Sequence, residues 1–433
     1  MRLLLAVAVL ILACSTPDEE EKVLRISGSA VGAEGEILAR QVSRFEKAVP
    51  GLRVEVQSTP DDATQRHQLY VQWLNAQVGT PDVLQLDVVW TPEFAAAGWI
   101  LPLDRYAPPA GDFFPASLEA NTWQGRLYAV PWFMDVGMLY WRTDLLRGPP
   151  HTLEELAADA RRAASAPGSF GFVWQGARYE GLVTVFLEVL GGYGGRILGP
   201  DHQVLVDSPQ GVRALTWLRD LIRQGISPPD VLTWHEEETR FAFQNGQAVF
   251  LRNWPYAFPL LSAPGSRVAG RFAVAPMPAA PGGAPTAALG GGQLAINAHS
   301  RFPDAAWRLV AYLTAPEQML ERAEAVGQYP ARRSVWRSPR LAAALHAPPD
   351  QVLSIVESAV ARPATPVWTE LSDILQIWLH RALAGQAEPA AALREAAREM
   401  ERVIERSGLK KTLTPGRVVG FSPLARLRER GRG

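Results

Sequence analysis

A single cysteine, Cys14, stands among 433 residues, which rules out an internal disulfide and any cysteine-rich metal site. An excess of either charge is missing as well. Lys and Arg number 43 against 44 Asp and Glu, and a net charge of −1 offers no footing for a nucleic-acid partner or for broad attraction to an anionic surface. No apolar run reaches the roughly 20 residues that a membrane-spanning helix needs. There is no Ser/His/Asp order, no Walker loop and no His/Cys metal spacing, so neither a cofactor nor a metal is expected. Internal repeats and long low-complexity tracts are absent too.

What is present begins with Arg2 and the apolar run Leu3 to Ala13, which stops at Cys14. Residues 1–13 read as a signal peptide. Ile11-Leu12-Ala13-Cys14 resembles a bacterial lipobox, in which the cysteine carries the lipid, and residues 14–22 then form a short acidic tether. The alternative is an ordinary signal peptide with an incidental cysteine. A lone cysteine in an exported chain is accounted for by a covalent anchor, so membrane contact is expected through lipid at Cys14 only. At the other end, residues 413–433 carry five arginines among Gly and Pro with too few apolar side chains to fold alone, and no role is assigned to them.

Between these ends the chain is long enough for two domains. Val23 to Ser27 alternates like a strand, Ile37-Leu38, Val42 and Phe45 have helical spacing, Leu52 to Gln57 alternates again, a helix covers Gln68 to Leu74, and Asp82 to Val89 reads as a strand. Strands alternating with helices predict α/β architecture with a parallel-rich sheet whose ligands sit beyond the strand ends. Leu127 to Phe133 and Met138 to Trp141 are strand-like runs on either side of Asp135 and Gly137. Thr152 and Glu155 form a capping box that starts a helix to Ala164. Further helices are expected at Pro209 to Gln224, Leu371 to Ala384 and Pro389 to Arg406, further strands at Phe170 to Trp174, Ala248 to Leu251, Phe272 to Val274 and Gly290 to Ile296. Pro276 to Pro285 reads as a surface loop. The 14 Trp are a further signal, since indole offers both core volume and a flat face for sugar rings.

Six separated segments, in order, resemble the carbohydrate-type extracellular solute-binding proteins of ABC importers, within them the trehalose/maltose-binding subgroup. They are Pro81 to Trp90, Gly98 to Asp104, Tyr128 to Pro131, Phe172 to Leu182, Arg252 to Ala257 and Ala288 to Gly291. The resemblance implies a two-lobed periplasmic-binding-protein fold of type II, with the ligand cleft between the lobes. The first lobe would comprise 23–134 and 276–313, the second 135–275 and 314–412, with crossings near Asp135, near Val274 to Pro276 and near Thr314. It also implies capture of a di- or oligosaccharide, delivery to importer membrane subunits, a monomeric state and no catalysis.

Sugar hydroxyls both donate and accept, and sugar rings have an apolar face, so carboxylates, amides and aromatic planes form the expected mixture. The positions that match the subgroup's binding residues are Glu34 or Glu36, Arg66, Asp87, Asp135, Trp254, Tyr256 and Gly291. Asp87 lies among apolar neighbours, where an unpaired buried carboxylate would be costly. Spacing does not choose between Glu34 and Glu36, and it leaves Trp174, Tyr179 and Glu180 divided between second-lobe core and cleft. His67 beside Arg66 reads as a bystander. The subgroup's tryptophan after the paired glycines is replaced here by Gly292 and Gln293, and its tyrosine by Phe133. Rival readings are a binding protein for a polyamine or glycerol phosphate, and a glycosidase built on paired carboxylates.

Overall fold

The computed structural model describes residues 22–409 apart from 30–32, 61–62, 109, 165–167 and 346–347. Residues 1–13, expected to be a signal peptide, Cys14 and residues 413–433 lie outside the described residues. Among the described residues no helix is long and apolar enough to cross a membrane.

In chain order the elements begin with β1 (Lys22–Ser29), α1 (Glu34–Ala48), β2 (Leu52–Thr59), α2 (Ala63–Asn75), β3 (Val83–Asp87), α3 (Thr91–Ala96) and α4 (Pro115–Ala120). The hairpin β4 (Thr122–Trp123) and β5 (Arg126–Leu127) leads to β6 (Ala129–Pro131), β7 (Phe133–Val136) and β8 (Met138–Arg142). Then come α5 (Leu153–Ala163), β9 (Phe170–Val173), α6 (Glu180–Gly192), α7 (Pro209–Arg223), α8 (Glu236–Gln244), β10 (Ala248–Asn253), α9 (Ala257–Ser262) and β11 (Phe272–Ala275). The chain closes with β12 (Ala287–Gly290), β13 (Gly292–Ile296), α10 (Pro303–Leu313), α11 (Pro316–Val326), β14 (Tyr329–Pro330), α12 (Pro339–Ala344), α13 (Pro349–Glu357), β15 (Ala359–Val360), α14 (Trp368–Leu383) and α15 (Pro389–Arg406).

The expected helices form where apolar spacing puts one face inward. On α1, Ile37, Leu38, Val42 and Phe45 are buried, and the capping box at Thr152 is made in both directions at the head of α5. A first-lobe sheet runs β2-β1-β3-β13-β6 and a second-lobe sheet β11-β8-β10-β9. Both are mixed rather than parallel-rich, because β13 and β8, which arrive by crossing between lobes, run against their neighbours. A third sheet, β14-β7-β12-β15, joins the lobes.

The first crossing is the run β6-β7-β8, with Asp135 inside β7. The other two differ from expectation. After β11 the chain stays with the second lobe: Met277 and Ala279 are buried, and Leu153 N–H donates to Ala279 O at 2.9 Å. The return falls at Ala287 to Gly292, where β12 leaves β7 and β13 enters the first-lobe sheet, not at Val274 to Pro276. The third crossing is not at Thr314. Gln41 Nε2 donates to Gln318 O at 2.9 Å and Arg44 pairs with Glu321, so α11 rests on α1 in the first lobe. Only with α13, where Gln351 Nε2 donates to Val274 O at 2.9 Å, does the chain rejoin the second lobe. Both positions were implied by the resemblance, and local sequence carries no mark of the lobe that a segment will pack on.

Candidate ligand-binding site

A cavity of about 470 Å³ opens between the lobes, over the joining sheet. Of the expected residues, Glu34, Arg66, Asp87, Asp135, Trp254, Tyr256 and Gly291 all border it. Glu36 does not, and is exposed on the outer side of α1. Two residues along a helix turn about 200°, so Glu34 and Glu36 had to face opposite ways. Trp174 is fully buried and donates from Nε1 to Ser227 Oγ at 2.9 Å, which places it in the second-lobe core. Tyr179 and Glu180 border the cavity. His67 Nε2 lies 2.9 Å from Glu93 Oε2, outside the main cavity.

From the first lobe, α1 begins at the cavity with Glu34, whose Oε1 accepts from Gln328 Nε2 at 2.6 Å. Gln328 Oε1 in turn accepts from Arg322 Nε at 2.8 Å. Arg322 is buried, its guanidinium carbon 4.0 Å from the centroid of Trp132. Burial draws its pKa down to about 10, against the pull of Glu34 and Asp135. On α2, Arg66 donates to Pro60 O at 2.9 Å and packs over Trp90.

Asp87 ends β3, and its Oδ1 accepts from Val89 N–H at 3.2 Å and Arg362 Nη2 at 3.3 Å. Arg362, unmarked in the sequence, is a tie across the cleft. It also donates to Leu289 O at 3.3 Å in β12 and from Nη1 to Glu180 Oε1 at 2.7 Å at the head of α6. Glu180 is held further by Trp368 Nε1 at 3.0 Å and by Ser372. One guanidinium therefore touches the first lobe, the joining sheet and the second lobe.

Asp135 lies in the joining sheet, and its Oδ1 has no hydrogen-bond partner among the described residues. Burial, then the charges of Glu34 and Asp87, push its pKa up to about 7, with Arg322 opposing. An acid protonated more easily in the folded protein than at its ordinary value of 3.8 stabilises the fold fully below that value, and the contribution is lost as pH rises to about 7. Asp135→Asn should therefore melt progressively higher than the parent between pH 4 and 7, with a constant gain above 7. A difference in melting midpoint that does not vary with pH would refute the shift.

The second lobe supplies the aromatic wall. Trp254 follows β10, is half-buried, and donates from Nε1 to Glu236 Oε1 at 3.2 Å. Beneath it the Arg252 guanidinium carbon is 4.0 Å from the ring centroid, and Arg252 pairs with Glu188, both fully buried. Tyr256 donates from its hydroxyl to Glu237 Oε1 at 2.7 Å, and burial followed by that carboxylate raises its pKa. Glu236 and Glu237 open α8. Such a run of acids reads as a helix start, which is the signal that could have found them. Gly291 has φ +119°, and a Cβ there would stand 2.2 Å from Phe133 O, so only glycine fits.

Two lobes joined by three chain crossings, with a polar and aromatic cavity between them, define a binding protein of the periplasmic type. The chain belongs to the bacterial extracellular solute-binding protein family, whose profile matches residues 29–320. A probable ABC transporter-binding protein of Deinococcus radiodurans is 36% identical over 82% of this chain and 87% of that protein. Maltose-bound MalE3 of T. maritima is 40% identical with a TM-score of 0.83, covering 88% of this chain and 99% of that one. An ABC transporter solute-binding protein of Thermotoga lettingae, bound with α-D-tagatose, is 26% identical with a TM-score of 0.79, covering 88% and 100%.

Proposed function

We propose that the chain captures a di- or oligosaccharide outside the cytoplasm and delivers it to the membrane subunits of an ABC importer. The observation that carries this reading is the composition of the cavity wall: an indole at Trp254 beside the carboxylates Asp87 and Asp135, with amide and guanidinium groups at Gln328, Arg66 and Arg362. Ring face and hydroxyl-binding groups are what a sugar requires, and about 470 Å³ is within the usual range for a small-molecule site. Ligand bridging both lobes favours their closure, which is the state a permease would read. The MalE3 relative, bound to maltose, supports the same class.

The test is calorimetric titration with maltose, trehalose and glucose, with spermidine in parallel. The excess of carboxylates along the wall favours a polyamine as the second reading, and binding of spermidine with no response to sugars would install it. Incubation with maltose or trehalose should release no glucose, since the carboxylates here hold hydroxyls rather than cleave bonds. Glu34→Gln should weaken sugar binding about tenfold, the loss of one hydrogen bond to a charged group, while Glu36→Gln should leave it unchanged. Equal effects would remove Glu34 from the site.

Lipidation at Cys14 is part of the same proposal. Cys14→Ser should shift the protein from the membrane pellet to the soluble fraction, and a variant that still pellets would defeat the anchor.

A further inference from the structure

Thr369 stands in the first turn of α14 and donates from Oγ1 to Glu93 Oε2 at 2.8 Å, so a second-lobe helix is hydrogen-bonded to α3 of the first lobe. Neither residue borders the cavity of about 470 Å³. A smaller cavity of about 80 Å³ shares Asp87 and Glu180 with it and reaches His67 and Thr369. The lobes are thus bridged at two places, by Arg362 with Asp87 and Glu180 at the main cavity, and by Thr369 with Glu93 away from it.

Both partners are fixed from behind. Glu93 Oε2 also lies 2.9 Å from His67 Nε2, and since an ionised carboxylate only accepts, the imidazole donates. His67 is buried, its ring centroid 5.4 Å from that of Trp90 and 5.7 Å from that of Phe94. On the other lobe, Trp368 and Ser372, neighbours of Thr369 on α14, both hold Glu180 at the head of α6, so Thr369 moves with the second lobe. A donor and an acceptor each immobilised on its own lobe lose little further freedom when they meet.

We propose that Glu93 and Thr369, with His67 as the residue that positions Glu93, form a latch that favours the closed lobes without touching the ligand. This rests on the reading above that bound sugar closes the lobes. The bond exists only when the lobes meet, so its free energy belongs to the closed state and enters the affinity of every ligand that requires closure. A side chain in contact with sugar discriminates between sugars. The latch does not.

The experiment compares the full chain with Thr369→Val, Thr369→Ser, Glu93→Ala, His67→Phe and the Thr369→Val/Glu93→Ala double variant. Each is titrated calorimetrically with maltose, trehalose and glucose. Single-molecule energy transfer between dyes on α1 and α15 reports the closed fraction in the absence of sugar. Thr369→Val should lower that fraction and weaken every sugar that binds by one common factor, about three- to tenfold. The double variant should be no weaker than the weaker single one, because either substitution already breaks the bond. Thr369→Ser keeps the hydroxyl and should retain the parent's affinity, and His67→Phe, which keeps the ring packing and loses the donor, should fall between. Equal closed fractions in the parent and Thr369→Val, or a loss confined to one sugar, would overturn the latch. A parent that binds none of the three sugars defeats the sugar reading, and the energy-transfer measurement, which needs no ligand, still decides the latch.

Discussion

Trp254→Ala should cost about 2–4 kcal/mol of sugar-binding free energy, the range for truncating a buried aromatic anchor. The indole is already fixed before any ligand arrives. Its N–H is donated to Glu236, its backbone N–H to Asn253 Oδ1 at 2.8 Å, its carbonyl accepts from Tyr140 at 2.7 Å, and Arg252 lies beneath it. A ring held on this many sides loses little freedom on binding, so most of the stacking energy appears as affinity. Trp254→Phe should recover part of the loss, since a smaller ring still has a face, and Trp254→Leu less. Titration of each variant, with circular dichroism to confirm the fold, checks the order. Leu binding as tightly as Phe would reduce the residue to filler. Tryptophan fluorescence should also change when sugar is added to the parent.

Loss of Glu188 should be felt in stability instead. Glu188 and Arg252 are both fully buried, with Nε to Oε2 at 2.8 Å and Nη2 to Oε1 at 2.5 Å. The pair sits directly over Gly137, where a Cβ would stand 1.7 Å from Glu188 Oε1. Glu188→Ala strands the guanidinium in the interior and should lower unfolding free energy by about 3–5 kcal/mol. Replacing both partners by methionine removes the stranded charge and should restore most of the loss. Urea unfolding measures both variants. A Glu188→Ala protein within about 1 kcal/mol of the parent would mean that water reaches Arg252 after all.

These two sites illustrate how unevenly the sequence reveals its outcome. Local periodicity was enough for α1, where Ile37, Leu38, Val42 and Phe45 mark a buried face, and for α5, where Thr152 and Glu155 announce the cap. It was silent for α6, the helix that carries Glu188. Residues 181–190 are buried on every side, and a helix wrapped in core has no polar stripe to give a period. Asp87 was legible because a carboxylate among apolar residues demands a reason, and Asp135 through the resemblance to the trehalose/maltose-binding subgroup. Arg362 was not. It sits between Ala361 and Pro363 with no pattern around it, and its partners Glu180 and Asp87 are 182 and 275 residues away. Glu34 and Gln328, 294 residues apart, meet for the same unreadable reason. Side chains brought together by chain crossings leave no trace in local spacing.

The placement of β13 also sets an order of events during synthesis. This strand lies between β3 and β6, and without it β6 has no neighbour in the first-lobe sheet. A ribosome makes β8 to β11 before it makes β13, so the strands of the second-lobe sheet are complete before the first-lobe sheet can close at Ile296. The second lobe must then wait for α14 and α15, which cover α6 and α7 from the far end of the chain. The first lobe has its strands by Ile296 and its helices by α12, so it can still close before the second, as N-terminal units of multidomain chains usually do, but only after the second-lobe strands have been made. A fragment cut at a lobe boundary lacks elements of its own lobe and should be unable to fold, and the second lobe is complete only with α15, the last helix among the described residues.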